Sequence, residues 1–376
     1  VFTYMVDYSL WGLNVFGYHL TNVILHILVA LAVYWLISSI FGHSGLAFFT
    51  AILFVACPVH TEAVSYISGR GDSLAALFIL LCLIFYIKNM HSPSVRSYIL
   101  MVSSCILAFL SKENALVIPV FLLLYNYVFR QKIKWKIFMP VLMVSVAYLL
   151  LRLITLRSFF FGPEMVIRRI PGFFVAVSRY FKILLLPINL HMEYGNHLFK
   201  ITDPLAVLGA IICATLLIFA LRKKIDNRKV SWGILWFFTA LLPTTSVYPV
   251  HSFYMAEHWL YLPSVGFFLI LGWLLTLIYE KKDYRIIAIA LLASILSFYS
   301  YLTVKQNNYW RTELTFYKRT LQYSPDSAMV HNNLGNVYLD MGNKLQAIKE
   351  YLKAINSNSK FAPTYYNLGN AYYDLG

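Results

Sequence analysis

The chain has 376 residues, of which 60% are hydrophobic and only 12% charged, with a mean hydropathy of +0.66. That balance excludes one or two water-soluble domains and implies a polytopic membrane protein. Lys and Arg number 31 against 16 Asp and Glu, a formal +15, but basic residues of a membrane protein collect in cytoplasmic loops and call for no nucleic-acid partner.

A helix needs roughly 20 apolar residues to cross the hydrocarbon core. Runs of this kind predict about ten spans, near 18–40, 45–62, 73–89, 97–111, 114–129, 136–156, 204–221, 231–250, 260–279 and 286–305. Every second connection, beginning with the one between the first two spans, belongs to a set that together holds Lys88, Arg96, Arg130, Lys132, Lys134, Lys136, Arg222, Lys223, Lys224, Arg228, Lys229, Lys281, Lys282 and Arg285. The positive-inside rule makes that side the cytoplasm. The short connections on the other side carry Glu62, Asp72, Glu113 and Glu257, with only Arg70 and Lys112 as basic residues. Acidic groups therefore gather on an outer face, periplasmic or lumenal. The four cysteines, Cys57, Cys82, Cys105 and Cys213, lie in apolar stretches and read as small core residues.

One long outer loop, about 157–203, sets Arg157, Arg168, Arg169, Arg179 and Lys182 among Phe159, Phe160, Phe161, Phe173, Phe174, Tyr180 and Phe181. The pattern predicts an amphipathic helix in the membrane interface, either a surface anchor or a contact for anionic lipid headgroups. Beyond about Trp310 the composition turns soluble. Asn333-Leu334-Gly335-Asn336-Val337-Tyr338 returns 34 residues later as Asn367-Leu368-Gly369-Asn370-Ala371-Tyr372. A 34-residue helix-turn-helix period with this signature is a tetratricopeptide repeat. The expected domains are thus a membrane part, 1–305, and repeats, 306–376. The chain opens without an initiator Met and stops at Gly376 inside a repeat, so it reads as a fragment with further repeats beyond it.

Ionisable residues at the ends of apolar spans are costly to desolvate and are functional candidates by default. Pro58-Val59-His60-Thr61-Glu62 leads into Ser68-Gly69-Arg70-Gly71-Asp72-Ser73, Lys112-Glu113 follows the fourth span, and Glu257-His258 precedes the ninth. Carboxylates accept hydroxyl hydrogens, and Arg or Lys binds phosphate oxygens. The structural alternatives are local ion pairs: Arg70 with Glu62 or Asp72, and Lys112 with Glu113. His19, Asn22 and His26 share one face of the first span and suit interhelical hydrogen bonding. There is no HExxH, CxxC or Walker sequence, so neither a metal nor a cofactor is expected.

These segments, with Phe16-Gly17-Tyr18-His19 to His26, Leu110-Ser111-Lys112-Glu113, Glu257-His258-Trp259-Leu260-Tyr261-Leu262-Pro263-Ser264 and the repeats that follow, resemble the transmembrane-and-tetratricopeptide-repeat O-mannosyltransferases and their bacterial relatives over essentially the whole chain. The resemblance implies an all-α fold: a GT-C-like helical membrane bundle followed by an α-solenoid. It implies transfer of a sugar, typically mannose, from a polyprenyl-phosphate donor to Ser or Thr hydroxyls of an acceptor protein on the outer or lumenal face. On this reading the charged span ends supply supporting chemistry, with Arg70 and Lys112 expected near the donor phosphate. Glu62, Asp72, Glu113 and Glu257 would orient sugar or acceptor hydroxyls, with His60 and His258 in support, and an acceptor polypeptide would be held by the repeats. The family's base, an acid in the first outer loop, is expected upstream of residue 1, and Asp7 is not promoted to that role. The family often has Arg where this chain has His258.

Two other classes remain open from sequence. A flippase or transporter of a lipid-linked glycan predicts polar residues through the depth of several spans and an inverted repeat, whereas the charges here cluster on one face. A membrane-anchored scaffold would not require acids at four separate span ends. The chain has no N-x-Ser/Thr sequon, which favours a bacterial inner membrane over an endoplasmic reticulum.

Overall fold

The computed structural model describes residues 2–155, 163–195, 197–222, 227–244 and 254–375, and every regular element among them is helical. Arg157, Phe159, Phe160, Phe161, Lys223, Lys224, Gly376 and the 245–250 end of the eighth expected span lie outside the described residues. In chain order the α-helices are α1 Phe2–Trp11, α2 Val15–Phe41, α3 Ser44–Ala56, α4 Thr61–Ser65, α5 Arg70–His91, α6 Val95–Ser111, α7 Ile118–Val128, α8 Trp135–Thr155, α9 Pro163–Leu185, α10 Pro204–Leu221, α11 Arg228–Leu241, α12 Ser264–Tyr279, α13 Arg285–Trp310, α14 Glu313–Leu321, α15 Ala328–Asp340, α16 Lys344–Ser357 and α17 Ala362–Leu375. Short 3₁₀ turns at Pro58–His60, Ile67–Gly69, Glu113–Val117 and Glu257–Leu260 link the helices at the charged end of the bundle.

Helix starts follow local chemistry. Asn14, Ser94 and Asp203 each accept a backbone N–H of the first turn of α2, α6 and α10, and Pro204 occupies the first turn of α10 where its missing donor costs nothing. α2 stops at Gly42, whose φ of +64° is the left-handed conformation that glycine adopts without strain. Pro58 breaks the second expected span, and α3 and the following Pro58–Ser65 segment meet at a bend of 52°.

Each of the ten predicted stretches holds a helix, but the lengths differ from expectation. Among the described residues five helices are long and apolar enough to cross a membrane alone: Val15–Phe41, Ile67–His91, Trp135–Thr155, Pro204–Leu221 and Lys282–Trp310. The bent pair makes a sixth, and Val95–Ser111, Glu113–Val128 and Ser264–Tyr279 are shorter apolar helices. In the apolar window of α13 only 17% of residues are buried within the protein. Most of that apolar window is exposed, as the lipid-facing side of a membrane span would be.

The chain divides into two compact units. The first comprises residues 1–188 and 198–303. Its core joins Val29, Val33 and Leu36 of α2, Leu46 and Leu53 of α3, Ile79 and Leu83 of α5, and Phe268 and Leu269 of α12, all essentially inaccessible. α11 and α12 cross at Gly233 and Gly266, where a Cβ on either would run into the other's carbonyl. Small residues at such a crossing let two backbones touch. The amphipathic helix expected in the long outer loop forms as α9, but one side is not free for lipid. Val177, Tyr180 and Leu184 are buried, Ser178 Oγ donates to Leu205 O of α10 at 2.8 Å, and Phe174 O lies against Gly209.

The second unit comprises residues 189–197 and 304–376. In it α15 and α16 form a full helix-turn-helix repeat, flanked by α14 before and α17 after. Tyr351 of α16 is fully buried against α15, where a Cβ on Gly335 would strike its ring. Residues 189–197 belong to this unit through Glu193, whose carboxylate accepts from Ser327 Oγ at 2.6 Å and whose carbonyl accepts from Ser324 Oγ at 2.8 Å.

Candidate active site

The site lies within the first unit, where the short turns converge. The Glu257–Leu260 turn packs on both the Pro58–His60 turn and α4, and the Glu113–Val117 turn packs on the start of α5. Gly69 makes this possible. A Cβ there would sit 2.9 Å from Ala63 O and 3.1 Å from Glu62 O, so only glycine lets the chain double back from α4 into α5 and hold Glu62 and Arg70 at fixed positions.

The ion pairs formed are not the local ones. Arg70 pairs with Asp7 at 2.5 Å, donates from Nε to Asn22 Oδ1 at 2.8 Å and from Nη2 to Tyr18 O at 3.2 Å, and lies 4.4 Å from the Tyr4 ring centroid. Thr21 Oγ1 donates to the same Asp7 carboxylate at 2.8 Å. Arg70 is completely buried and Asp7 nearly so. Lys112 Nζ reaches both oxygens of Asp72 at 2.7 and 2.8 Å, not Glu113. Glu113 faces Arg152 in the last turn of α8 at 3.5 Å. Glu62 accepts the side chain of His258 through Nδ1 at 2.9 Å and the His258 backbone N–H at 2.9 Å.

Two of these pairs form one electrostatic neighbourhood. Burial works against the charged form of His258, but the charge and hydrogen bond of Glu62 outweigh it; Asp72 adds to the rise and Lys112 opposes it. The net effect raises the imidazole above its ordinary value and favours its cationic form. Because the folded pKa is raised, the stabilisation from this pair is present below pH 6.5 and is lost as pH rises through the folded value.

Both pairs share one asymmetry, the cation being more exposed than the acid. His258 exposes 27% of its side chain while Glu62 exposes 8%, and Lys112 exposes 22% while Asp72 exposes 8%. The cations stand forward and the acids behind them. Glu257 is also buried, and Tyr180 of α9 steadies its segment by donating to Ala256 O at 3.2 Å and accepting the Ala256 N–H at 3.3 Å. Arg179 donates to the Tyr254 hydroxyl.

His60 lies one layer deeper. It bonds Ser264 Oγ at 2.9 Å and packs 5.5 Å from the His26 ring and 4.9 Å from the Tyr261 ring. His26 bonds the Tyr261 hydroxyl at 2.7 Å and Val55 O at 3.1 Å, and Asn22 donates to Val64 O at 3.0 Å, so the polar face of α2 does bond neighbouring segments. Span-end motifs single out neither Asp7 as a partner nor Arg152. Arg152 does carry a signal in the sequence: it is an arginine in the closing turn of an otherwise apolar span. Among the described residues no group of three or more His, Cys, Asp or Glu is placed to hold a metal ion.

Comparison with known proteins gives a family model for the TPR repeat over residues 345–376. A Caenorhabditis elegans protein O-mannosyl-transferase is 29% identical, over 97% of this chain and 53% of its own length. The Homo sapiens protein O-mannosyl-transferase TMTC1 is 26% identical over 98% of this chain and 48% of its own, and human TMTC4 is 26% identical over 93% and 56%. The chain therefore spans about half the length of the curated relatives it matches. No solved structure matches. The chain is thus similar over nearly its whole length to TMTC-family protein O-mannosyl-transferases, and it has long apolar helices and a tetratricopeptide repeat.

Proposed function

We propose that this chain is the membrane and first-repeat portion of a glycosyltransferase. It moves a sugar, mannose by analogy with the relatives' names, from a polyprenyl-phosphate donor to Ser or Thr hydroxyls of an acceptor protein on the periplasmic or lumenal face. The observation that carries this reading is the polarised pair of ion pairs, with Lys112 and His258 forward and Asp72 and Glu62 behind.

Transfer to a hydroxyl breaks the bond between the anomeric carbon and the phosphate oxygen, and negative charge develops on the departing phosphate. Fixed cations aimed at that position stabilise it without reorganising. In this proposal Lys112, aimed by Asp72, meets the phosphate. His258, aimed and charged by Glu62, meets either the phosphate or the sugar hydroxyls next to it, and Glu257 steadies the same segment. Glu62 and Asp72 already accept two bonds each from their partners, so we give them positioning roles and assign no residue here as base. Arg70, sealed against Asp7, is given the role of fixing the start of α5 rather than of touching the donor. His60 supports the same framework from the Tyr261 layer. The tetratricopeptide unit would hold the acceptor polypeptide on its repeats.

The test is transfer from a short-chain prenyl-phosphate mannose to a Thr-containing peptide by the full-length protein carrying Glu62→Gln or Lys112→Met. Transfer should fall by about 10²-fold, the scale seen when one transition-state contact is removed, with membrane insertion unchanged. Undiminished transfer in both variants overturns the assignment.

A further inference from the structure

We propose that Arg152 is a second donor-binding cation, which joins Lys112 on the phosphate ester of a lipid-linked donor, and that Glu113 is the internal anion it exchanges for that phosphate. This rests on the transferase reading above and extends it to a residue outside the motifs that suggested it.

Arg152 occupies the last turn of α8, where it follows the apolar run Leu149-Leu150-Leu151, and an ionised side chain there needs a partner. It has two: Tyr148 OH at 2.9 Å and Glu113 Oε2 at 3.5 Å. Both bonds leave from Nη1, and among the described residues Nη2 and Nε have no protein partner. The Glu113 contact is long and single. Charge-assisted N–H to carboxylate bonds normally lie at about 2.7–2.9 Å, the range of both Lys112 contacts to Asp72. Arg152 and Glu113 each expose 31% of their side chains, so water competes for both.

Glu113 directly follows Lys112, at the start of the 3₁₀ turn that packs on the head of α5. Glu113 thus pairs with Arg152 and is the chain neighbour of Lys112, which already has a tight partner in Asp72. The weakest interaction at this rim is therefore Arg152–Glu113. A phosphate ester reaching Lys112 competes for Arg152 with two oxygens instead of one, and the planar guanidinium fork matches that geometry. Glu113 then turns to solvent, which its present exposure allows.

The experiment measures binding without transfer. The full-length protein in detergent is titrated with short-chain prenyl-phosphate mannose. Arg152→Met should weaken binding about tenfold, Arg152→Lys should fall between it and the parent, and Glu113→Gln should tighten binding roughly threefold, an effect that disappears in the Glu113→Gln/Arg152→Met double variant. A Glu113→Gln variant that binds more weakly, or an Arg152→Met variant that binds as the parent does, overturns the proposal. Repeating the titration in nanodiscs with and without phosphatidylglycerol separates the two sources of a phosphodiester. Competition that depends on Arg152 assigns the position to any lipid phosphodiester, and its absence assigns it to the glycolipid; both outcomes retain the exchange. Since no sugar is transferred, failure here leaves the transferase reading standing, and loss of transfer in Glu62→Gln does not by itself support Arg152.

Discussion

Arg70 illustrates how burial changes the meaning of a charged residue. A solvated arginine beside two acids would bind phosphate readily, but here the guanidinium is fully inaccessible and closed by Asp7, Asn22 and the Tyr18 carbonyl. Removing one partner of a buried pair leaves the other charged and unsolvated. Arg70→Met should therefore destabilise the protein by about 3–5 kcal/mol, seen as a lower melting temperature in detergent, whereas Arg152→Met, whose pair with Glu113 is 31% exposed on both sides, should shift it by no more than about 1 kcal/mol. Equal shifts would contradict the distinction. The ionisable residues themselves are legible in the sequence, because each interrupts an apolar run. Their pairing is not. Lys112 bonds Asp72 across 40 positions and His258 bonds Glu62 across 196, while Glu113, the acid next to Lys112, faces Arg152. Proximity along the chain carries little information about partners once several helix ends meet at one place.

Elements are more legible than their lengths. A run of apolar residues identifies a buried or lipid-facing helix whether or not it crosses the membrane, which is why all ten stretches hold helices while fewer have the length to span alone. α1 escapes a search for spans because ten residues containing Asp7 fall short of one. The apolar side of α9 suggests lipid from sequence because periodicity shows that a face is buried and is silent about what buries it. Helix crossings depend on small residues that no periodicity marks. Gly266→Val should force α11 and α12 apart and lower stability by about 1–3 kcal/mol. Gly335→Ala, whose added Cβ would lie 2.4 Å from the Tyr351 ring, should likewise lower the stability of the repeat unit by about 1–3 kcal/mol. Thermal unfolding of both variants checks these close approaches, and a neutral Gly266→Val would contradict the close crossing.

At the scale of the molecule, the repeat period is the most legible feature, since a 34-residue self-match needs no knowledge of packing. It leaves out the contribution of residues 189–197, drawn from the distant segment between α9 and α10 into the second unit through Glu193, Ser324 and Ser327. The repeat unit also contains a buried acid whose titration has a definite sign. Burial raises the Glu350 pKa, but hydrogen bonds from Lys353 and His331, with their charges, outweigh it and leave the group below its ordinary 4.5. A depressed carboxyl contributes stability above its unfolded value that is lost as pH falls through the folded one. The repeat unit should hold its helicity at neutral pH and lose stability only below about pH 4.5, and Glu350→Gln should flatten that dependence in a circular dichroism titration.

The proposed function requires the charged rim and the repeats to share one side of the membrane, opposite the basic loops. Labelling with a membrane-impermeant maleimide tests this most directly, because the four native cysteines are buried. Single cysteines would be placed at Ser111 beside the rim, at Leu345 on the repeats and at Arg96 in a basic loop. Ser111→Cys and Leu345→Cys should label together from the periplasmic or lumenal side, and Arg96→Cys should label only after permeabilisation. Labelling of Ser111→Cys and Leu345→Cys from opposite sides would contradict the shared placement and, with it, the transferase reading.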